Sequence, residues 1–283
     1  MKTKLQAITI YLVLLLGLPA LSQETTLWSK ETDWGTVAVK QEGTLRKLIF
    51  SSESGETEET RLDVENPALP LLPYVRQMVA MVALWESNRE APENPRLLVV
   101  GLGGASLSNA LARRFPRSEI VSVEIEPVVV EAARKFFFYQ ESELVQTVLD
   151  DARSYLEQNE RPFDLIFLDA FDGIGVPPSL RTLEFAQLLD RNLREGGGVV
   201  ANIHFTPREP SLRYRKSLEI VFPHSYLTVG VAQGVGLYTH FPVSVAPLEH
   251  SLEQWNQKYD LPLEKVITGR HQEDLEAVKP FRD

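Results

Sequence analysis

The sequence predicts an α/β fold in which a doubly wound parallel sheet follows a small N-terminal β-hairpin domain. Three observations carry this. Arg96-Leu-Leu-Val-Val-Gly-Leu-Gly-Gly-Ala105 is an apolar run that ends in a glycine turn. A second apolar run, Val121-Ser-Val-Glu-Ile-Glu126, places an acid at the distance where nucleotide-binding folds keep the residue that holds a ribose. Beyond it, strand-like and helix-like segments alternate, the pattern of a parallel sheet with helices on both faces.

In chain order, Lys2 and Lys4 precede the apolar stretch Ile8 to Leu18, and Ala20-Leu-Ser22 follows. Residues 1–22 read as a signal peptide cleaved before Gln23, which makes the chain periplasmic or secreted; an uncleaved membrane anchor is the alternative. Residues 23–69 read as a small β-appendage. Trp34 to Gln41 and Thr44 to Phe50 flank Glu42-Gly43, a two-residue hairpin signal. Ser51 to Thr60 is polar and acidic, a loop or a second hairpin tip, and Thr60 to Val64 reads as a further strand. Pro70 to Ser87 carries Leu71, Leu72, Val75, Met78, Val79, Val82 and Leu84 at helical spacing and leads into the main domain, residues 70–249.

That domain is expected to run strand 96–100, helix 105–115, strand 119–124, helix 127–138, strand 145–149, helix 152–158, strand 163–169, helix 179–193 and strand 197–203. Ser225 to Gly230 and Gly236 to Phe241 then close the sheet as an antiparallel pair. Residues 250–283 read as a polar helical tail.

Composition narrows the function. The chain has 283 residues, is 43% hydrophobic and 24% charged, and carries a formal charge of −10. It is long enough for one α/β domain plus an appendage. Nucleic acid is not an expected partner, because phosphate binding needs a basic face, whereas a cationic ligand suits the field. Cysteine is absent, which removes thiolate nucleophiles, thiolate metal sites and disulfides. His204, His224, His240, His250 and His271 lack metal spacing, so no metal is expected.

In an open α/β sheet the ligand lies beyond the carboxyl ends of the strands. Gly101, Gly103 and Gly104 let the backbone turn sharply and approach a ligand. Glu124 is placed to accept the ribose hydroxyls. Asp151 either accepts an adenine amine or caps the following helix, and the two are compatible if Asp150 is the cap. Asp169 ends an apolar strand, where partial desolvation suits a proton acceptor. Asp172, on a Gly- and Pro-rich loop, either pairs with a positive charge on the substrate or shapes a turn. Tyr74 and Gln77 are candidates to line a substrate pocket, with core packing the alternative for Tyr74. His204 is read as structural ahead of a role as a base.

The order glycine turn, Glu124, Asp151, Asp169-x-x-Asp172, Gly175 resembles the spermidine synthase family, across roughly residues 30 to 245. The resemblance implies a class I S-adenosylmethionine-transferase (Rossmann-like) fold. It implies that Gly101, Gly103, Gly104 and Glu124 hold decarboxylated S-adenosylmethionine, that Asp151 contacts adenine, that Asp169 is the base, and that Asp172 binds the amine. Three departures stand beside it. Gly104 replaces the family's acid in the turn, Tyr74-Val-Arg76 replaces Tyr-His-Glu, and Gly173 replaces a proline.

The expected activity is therefore transfer of an aminopropyl group to a small cationic amine, of the polyamine-biosynthesis type, with a homodimer left open. The alternatives are an S-adenosylmethionine-dependent methyltransferase, which could act on a protein acceptor, and a catalytically silent nucleoside-binding or interaction protein. Export motivates the last, since sulfonium nucleosides are made in the cytoplasm. A nicotinamide dehydrogenase is disfavoured because the third glycine of its turn is Ser106 here.

Overall fold

The computed structural model describes residues 23–53, 55–171, 175–228, 233–259, 263, 275 and 278–283. The signal-peptide reading of residues 1–22 and the candidate Asp172 lie outside the described residues.

The chain opens with an antiparallel meander, β1 (Thr25–Thr32), β2 (Gly35–Glu42), β3 (Leu45–Ser52) and β4 (Gly55–Asp63), paired in that order. Glu42 pairs with Leu45, so the hairpin turns on Gly43-Thr44, and Gly43 takes the positive φ that such a turn requires. β1 escaped the sequence pattern because it is an edge strand with mostly exposed residues and no apolar stripe. The acidic stretch Ser51 to Thr60, expected to be a loop or a second hairpin tip, holds the β3–β4 hairpin, where Ser52 pairs with Gly55, and its latter part is the first half of β4, with Glu58 paired to Ile49 and Thr57 to Phe50. Backbone pairing, not side-chain burial, fixes it as a strand.

α1 (Pro73–Ser87) begins with proline at its first turn and is buried on nearly every side from Val75 to Trp85. There follow β5 (Leu97–Val100), α2 (Ser106–Arg114), β6 (Ile120–Glu124), α3 (Pro127–Phe136), β7 (Val145–Leu149), α4 (Ala152–Gln158), β8 (Phe163–Leu168), α5 (Leu183–Arg191), β9 (Leu193–His204), α6 (Arg208–Val221), β10 (His224–Leu227), β11 (Gln233–Thr239), α7 (Ala246–Glu249) and α8 (Leu252–Tyr259). The seven-stranded sheet has the order β10-β11-β9-β8-β5-β6-β7. Its β7-to-β9 portion is parallel, and β11 and β10 close it antiparallel. Strand order reverses between β5 and β8, which is where such sheets open a crevice.

Three segments differ from expectation. The helix expected over 179–193 is a 3-10 turn, Pro178–Leu180, followed by α5, because Thr182 stops the chain to cap α5 through the Phe185 N–H at 3.2 Å. α6 was not foreseen. Its buried face includes Ser211, Tyr214, Arg215 and Ser217, so it carries no clean apolar stripe. Residues 278–283 are not helical, and Phe281 bridges Thr182 in parallel while Asp283 accepts from Arg153 of α4 at 2.6 and 2.8 Å.

The core lies on both sides of the sheet. Leu97 and Val99 face α1 and α2, whereas Leu98 and Val100 face the side of α4, α5 and α6, as the two-residue strand period requires. Val37, Val39, Leu48 and Leu62 of the meander pack against Ala132 and Phe137 at α3, which sets β4 beside the glycine turn. At the opposite end of the sheet, buried Asp164 accepts from the Arg96 N–H at 2.7 Å and from Arg194 at 2.8 Å. Asp164→Ala leaves that N–H buried and unpaired, and should lower unfolding free energy by about 2 kcal/mol in chemical denaturation.

Candidate active site

The site is built where β5, β6 and β8 end side by side. The Gly101 N–H donates to the Val123 carbonyl at 2.8 Å and the Asp169 N–H to the Val100 carbonyl at 2.9 Å, so the three strand ends are tied together. Gly101 has φ +90°, and a Cβ there would lie 2.5 Å from the Asp169 carbonyl oxygen. Only glycine lets the turn approach Asp169 so closely.

Glu124 stands at the end of β6. Its Oε2 accepts from the Leu102 N–H at 2.9 Å and its Oε1 from the Glu126 N–H at 3.0 Å. Burial pushes its pKa up, against these backbone donors, which pull it down. The backbone donors fix the carboxylate in place at the end of β6. Ile125 follows it and remains 45% exposed, an apolar surface beside the acid.

Asp151 caps α4, its Oδ1 accepting from the Ser154 N–H at 3.0 Å, while Asp150 accepts from the Asp151 N–H at 2.8 Å. Of the two readings of Asp151, capping is the one seen, and Asp150 is not the cap. That uses one carboxylate oxygen of Asp151.

Asp169 follows β8, beside the end of β5 where the strand order reverses. Asn202 of β9 donates to its Oδ1 at 3.1 Å, and the Tyr74 hydroxyl of α1 lies near it. Burial raises the Asp169 pKa to about 7, and Asn202 and Tyr74 oppose that rise. Tyr74 itself is held neutral, its pKa raised well above normal by burial and by the charges of Asp169 and Glu59. Gln77, one helical turn on, accepts from the Thr228 hydroxyl at 3.1 Å. His204 stacks on Phe171 with centroids 4.5 Å apart, and burial lowers its pKa, which suits a packing role.

β4 supplies residues that sequence reasoning missed. The Gly104 N–H donates to Thr60 Oγ1 at 2.8 Å, and a Cβ on Gly104 would meet Thr60 Cγ2 at 2.5 Å. The position where the resemblance implies an acid is therefore filled by Thr60. Next to it, Glu59 has its pKa raised to about 7, by burial first and then by Asp169 and Glu124. Its Oε1 is buried without a hydrogen-bond partner. The signal for Glu59 was hidden because its segment had the polarity of a loop or hairpin tip, and that for Thr60, at the start of an expected strand, because nothing local places it against Gly104; Asn202 was hidden because it sits in an apolar strand.

The Gly104 contact is testable. Gly104→Ala should cost about 1–3 kcal/mol by overpacking against Thr60. Adding Thr60→Ser removes the methyl that crowds most but keeps Cβ and Oγ1, which would lie at 2.8 and 2.9 Å, so the double variant should recover only part of the loss in a denaturation cycle.

A glycine turn, a ribose-placed acid and a switch-point crevice on a sheet of this order define a Rossmann-like nucleotide fold with an antiparallel N-terminal sheet. Residues 73–225 match the family model described as spermine/spermidine synthase domain. The chain belongs to that family. It is 31% identical over 194 residues to a polyamine aminopropyltransferase of Vibrio vulnificus, covering 67% of this chain and 62% of that protein. The chain thus spans about three fifths of that curated relative's length. Among solved structures, a probable spermidine synthase from Corynebacterium glutamicum superposes with TM-score 0.71 at 17% identity, over 90% of this chain and 96% of the other. Human methyltransferase-like protein 13 in complex with SAH gives TM-score 0.56 at 25% identity, over 72% and 96%.

Proposed function

We propose that this chain transfers an aminopropyl group from decarboxylated S-adenosylmethionine to a small cationic amine. The observation that carries the reading is Asp169, a desolvated carboxylate at the switch point that accepts from Asn202, with its backbone packed against the glycine turn. Glu124 would hold the ribose, and the exposed face of Ile125 gives the adenine an apolar seat. Asp151 keeps one carboxylate oxygen for the exocyclic amine, and Tyr74, Gln77 and Asp172 are assigned to the acceptor.

The reaction moves positive charge from sulfur to nitrogen. The acceptor amine attacks the carbon beside the sulfonium, that carbon–sulfur bond breaks, and methylthioadenosine leaves. Asp169 stabilises the nitrogen as it becomes cationic and takes its proton. A carboxyl with a pKa near neutrality suits this role, since it is ionised before attack and can carry the proton away afterwards. Among the described residues no group of side chains could hold a metal ion, and this reading asks for none.

The second reading is methyl transfer from S-adenosylmethionine to an amine. Gly104 favours it, because the acid that the family places there is replaced and its space is filled by Thr60. Purified chain incubated with decarboxylated donor and putrescine should release methylthioadenosine. Absence of that product, together with label transferred from S-adenosylmethionine to an acceptor, would reverse the order of the two readings. The lysine-led apolar stretch in residues 1–22 supports export or anchoring as a further part of the proposal.

A further inference from the structure

We propose that Glu59, contributed by the N-terminal sheet, selects a donor whose tail is a bare cation and rejects one that also carries a carboxylate. This rests on the reading of the cleft as an adenosyl-sulfonium site. β4 crosses the glycine turn, with Thr60 bonded to Gly104 and the Glu59 backbone beside Gly103. The Glu59 carboxyl projects among acids: Asp169 and Glu124 both act on it electrostatically, and no ion pair to a cation is found for it among the described residues. Its Oε1 is buried with no hydrogen-bond partner. A carboxylate oxygen buried without a partner beside two other acids is costly, and a cationic ligand is what relieves it.

The two adenosyl donors differ in the group that meets this acid. The tail of decarboxylated S-adenosylmethionine ends in an ammonium alone, whereas that of S-adenosylmethionine adds a carboxylate. Thr60 blocks an acid at position 104, and Glu59 brings a carboxyl to this wall of the turn that can read that difference. A second carboxylate brought against Glu59, Asp169 and Glu124 meets like charge in a poorly hydrated cleft.

Calorimetry on the full chain tests this with three probes: decarboxylated S-adenosylmethionine, S-adenosylmethionine, and methylthioadenosine, which has no charged tail. The unmodified chain should bind the decarboxylated donor at least about tenfold more tightly than S-adenosylmethionine. Glu59→Gln should erase that preference and leave methylthioadenosine affinity unchanged, while Glu59→Asp should retain part of it. If both proteins bind methylthioadenosine and share the same donor preference, Glu59 is not the selector. If Glu59→Gln alone loses methylthioadenosine, the residue is structural and the assignment falls. If the unmodified chain binds none of the three, the adenosyl-site reading itself fails.

Discussion

Replacing Asp169 with asparagine should lower kcat by about 10² to 10⁴-fold while leaving donor affinity nearly intact. Asparagine keeps the shape and its oxygen can still accept from Asn202, but it cannot take a proton. The pH profile should separate this loss from damage to the fold. In the unmodified chain kcat/KM is expected to rise with pH through about 7, as the Asp169 and Glu59 carboxyls lose their protons. In the variant that limb should flatten, and Glu59 should titrate lower because the Asp169 charge no longer opposes its ionisation.

Stability should run the other way. Asp169 has its pKa raised on folding, from 3.8 to about 7, so the folded chain binds the extra proton across that window. Stability is therefore lost as pH rises from about 4 to about 7, and is flat above it. Asp169→Asn removes that loss, so the variant should gain on the parent at pH 8 in thermal unfolding. A variant that is both inactive and less stable at pH 8 would argue that Asp169 is a packing residue.

The second large effect is expected at Glu124. Glu124→Gln puts an amide nitrogen where one of the Leu102 and Glu126 N–H groups now finds an oxygen, so one donor is orphaned and the ribose loses an acceptor. Affinity for methylthioadenosine should fall by about 10- to 100-fold, the worth of one to two charged hydrogen bonds. Unfolding free energy should fall by about 1–2 kcal/mol in the same variant. Measured together, the two losses distinguish a binding residue from one that only pins the turn, because the latter would shift stability and spare affinity after correction for folded fraction.

Much of this site could be read along the chain because its parts are short-range. The run into Gly101, the acid at Glu124 and the apolar strand into Asp169 each announce themselves by local periodicity, and the parallel alternation then forces their ends onto one edge. What stayed hidden depends on packing at a distance. Glu59 and Thr60 reach the turn only because Val37, Val39, Leu48 and Leu62 seat the meander against α3. Asn202 reaches Asp169 because β8 and β9 are neighbours in the sheet, a pairing that no spacing of residues reveals. α6 was hidden for the opposite reason: its buried positions hold serine, tyrosine and arginine, whose cost is met by tertiary partners that a helical wheel cannot display.

The hydrogen bond between Thr60 and the Gly104 amide joins two stretches of chain that come from separate sheets. One side of the reaction chamber is thus borrowed from a hairpin outside the nucleotide fold. On the proposed reading, substitutions in that hairpin should retune which donor is admitted without disturbing the crossover geometry that places Asp169. Chemistry and choice of donor would then be inherited on different pieces of polypeptide.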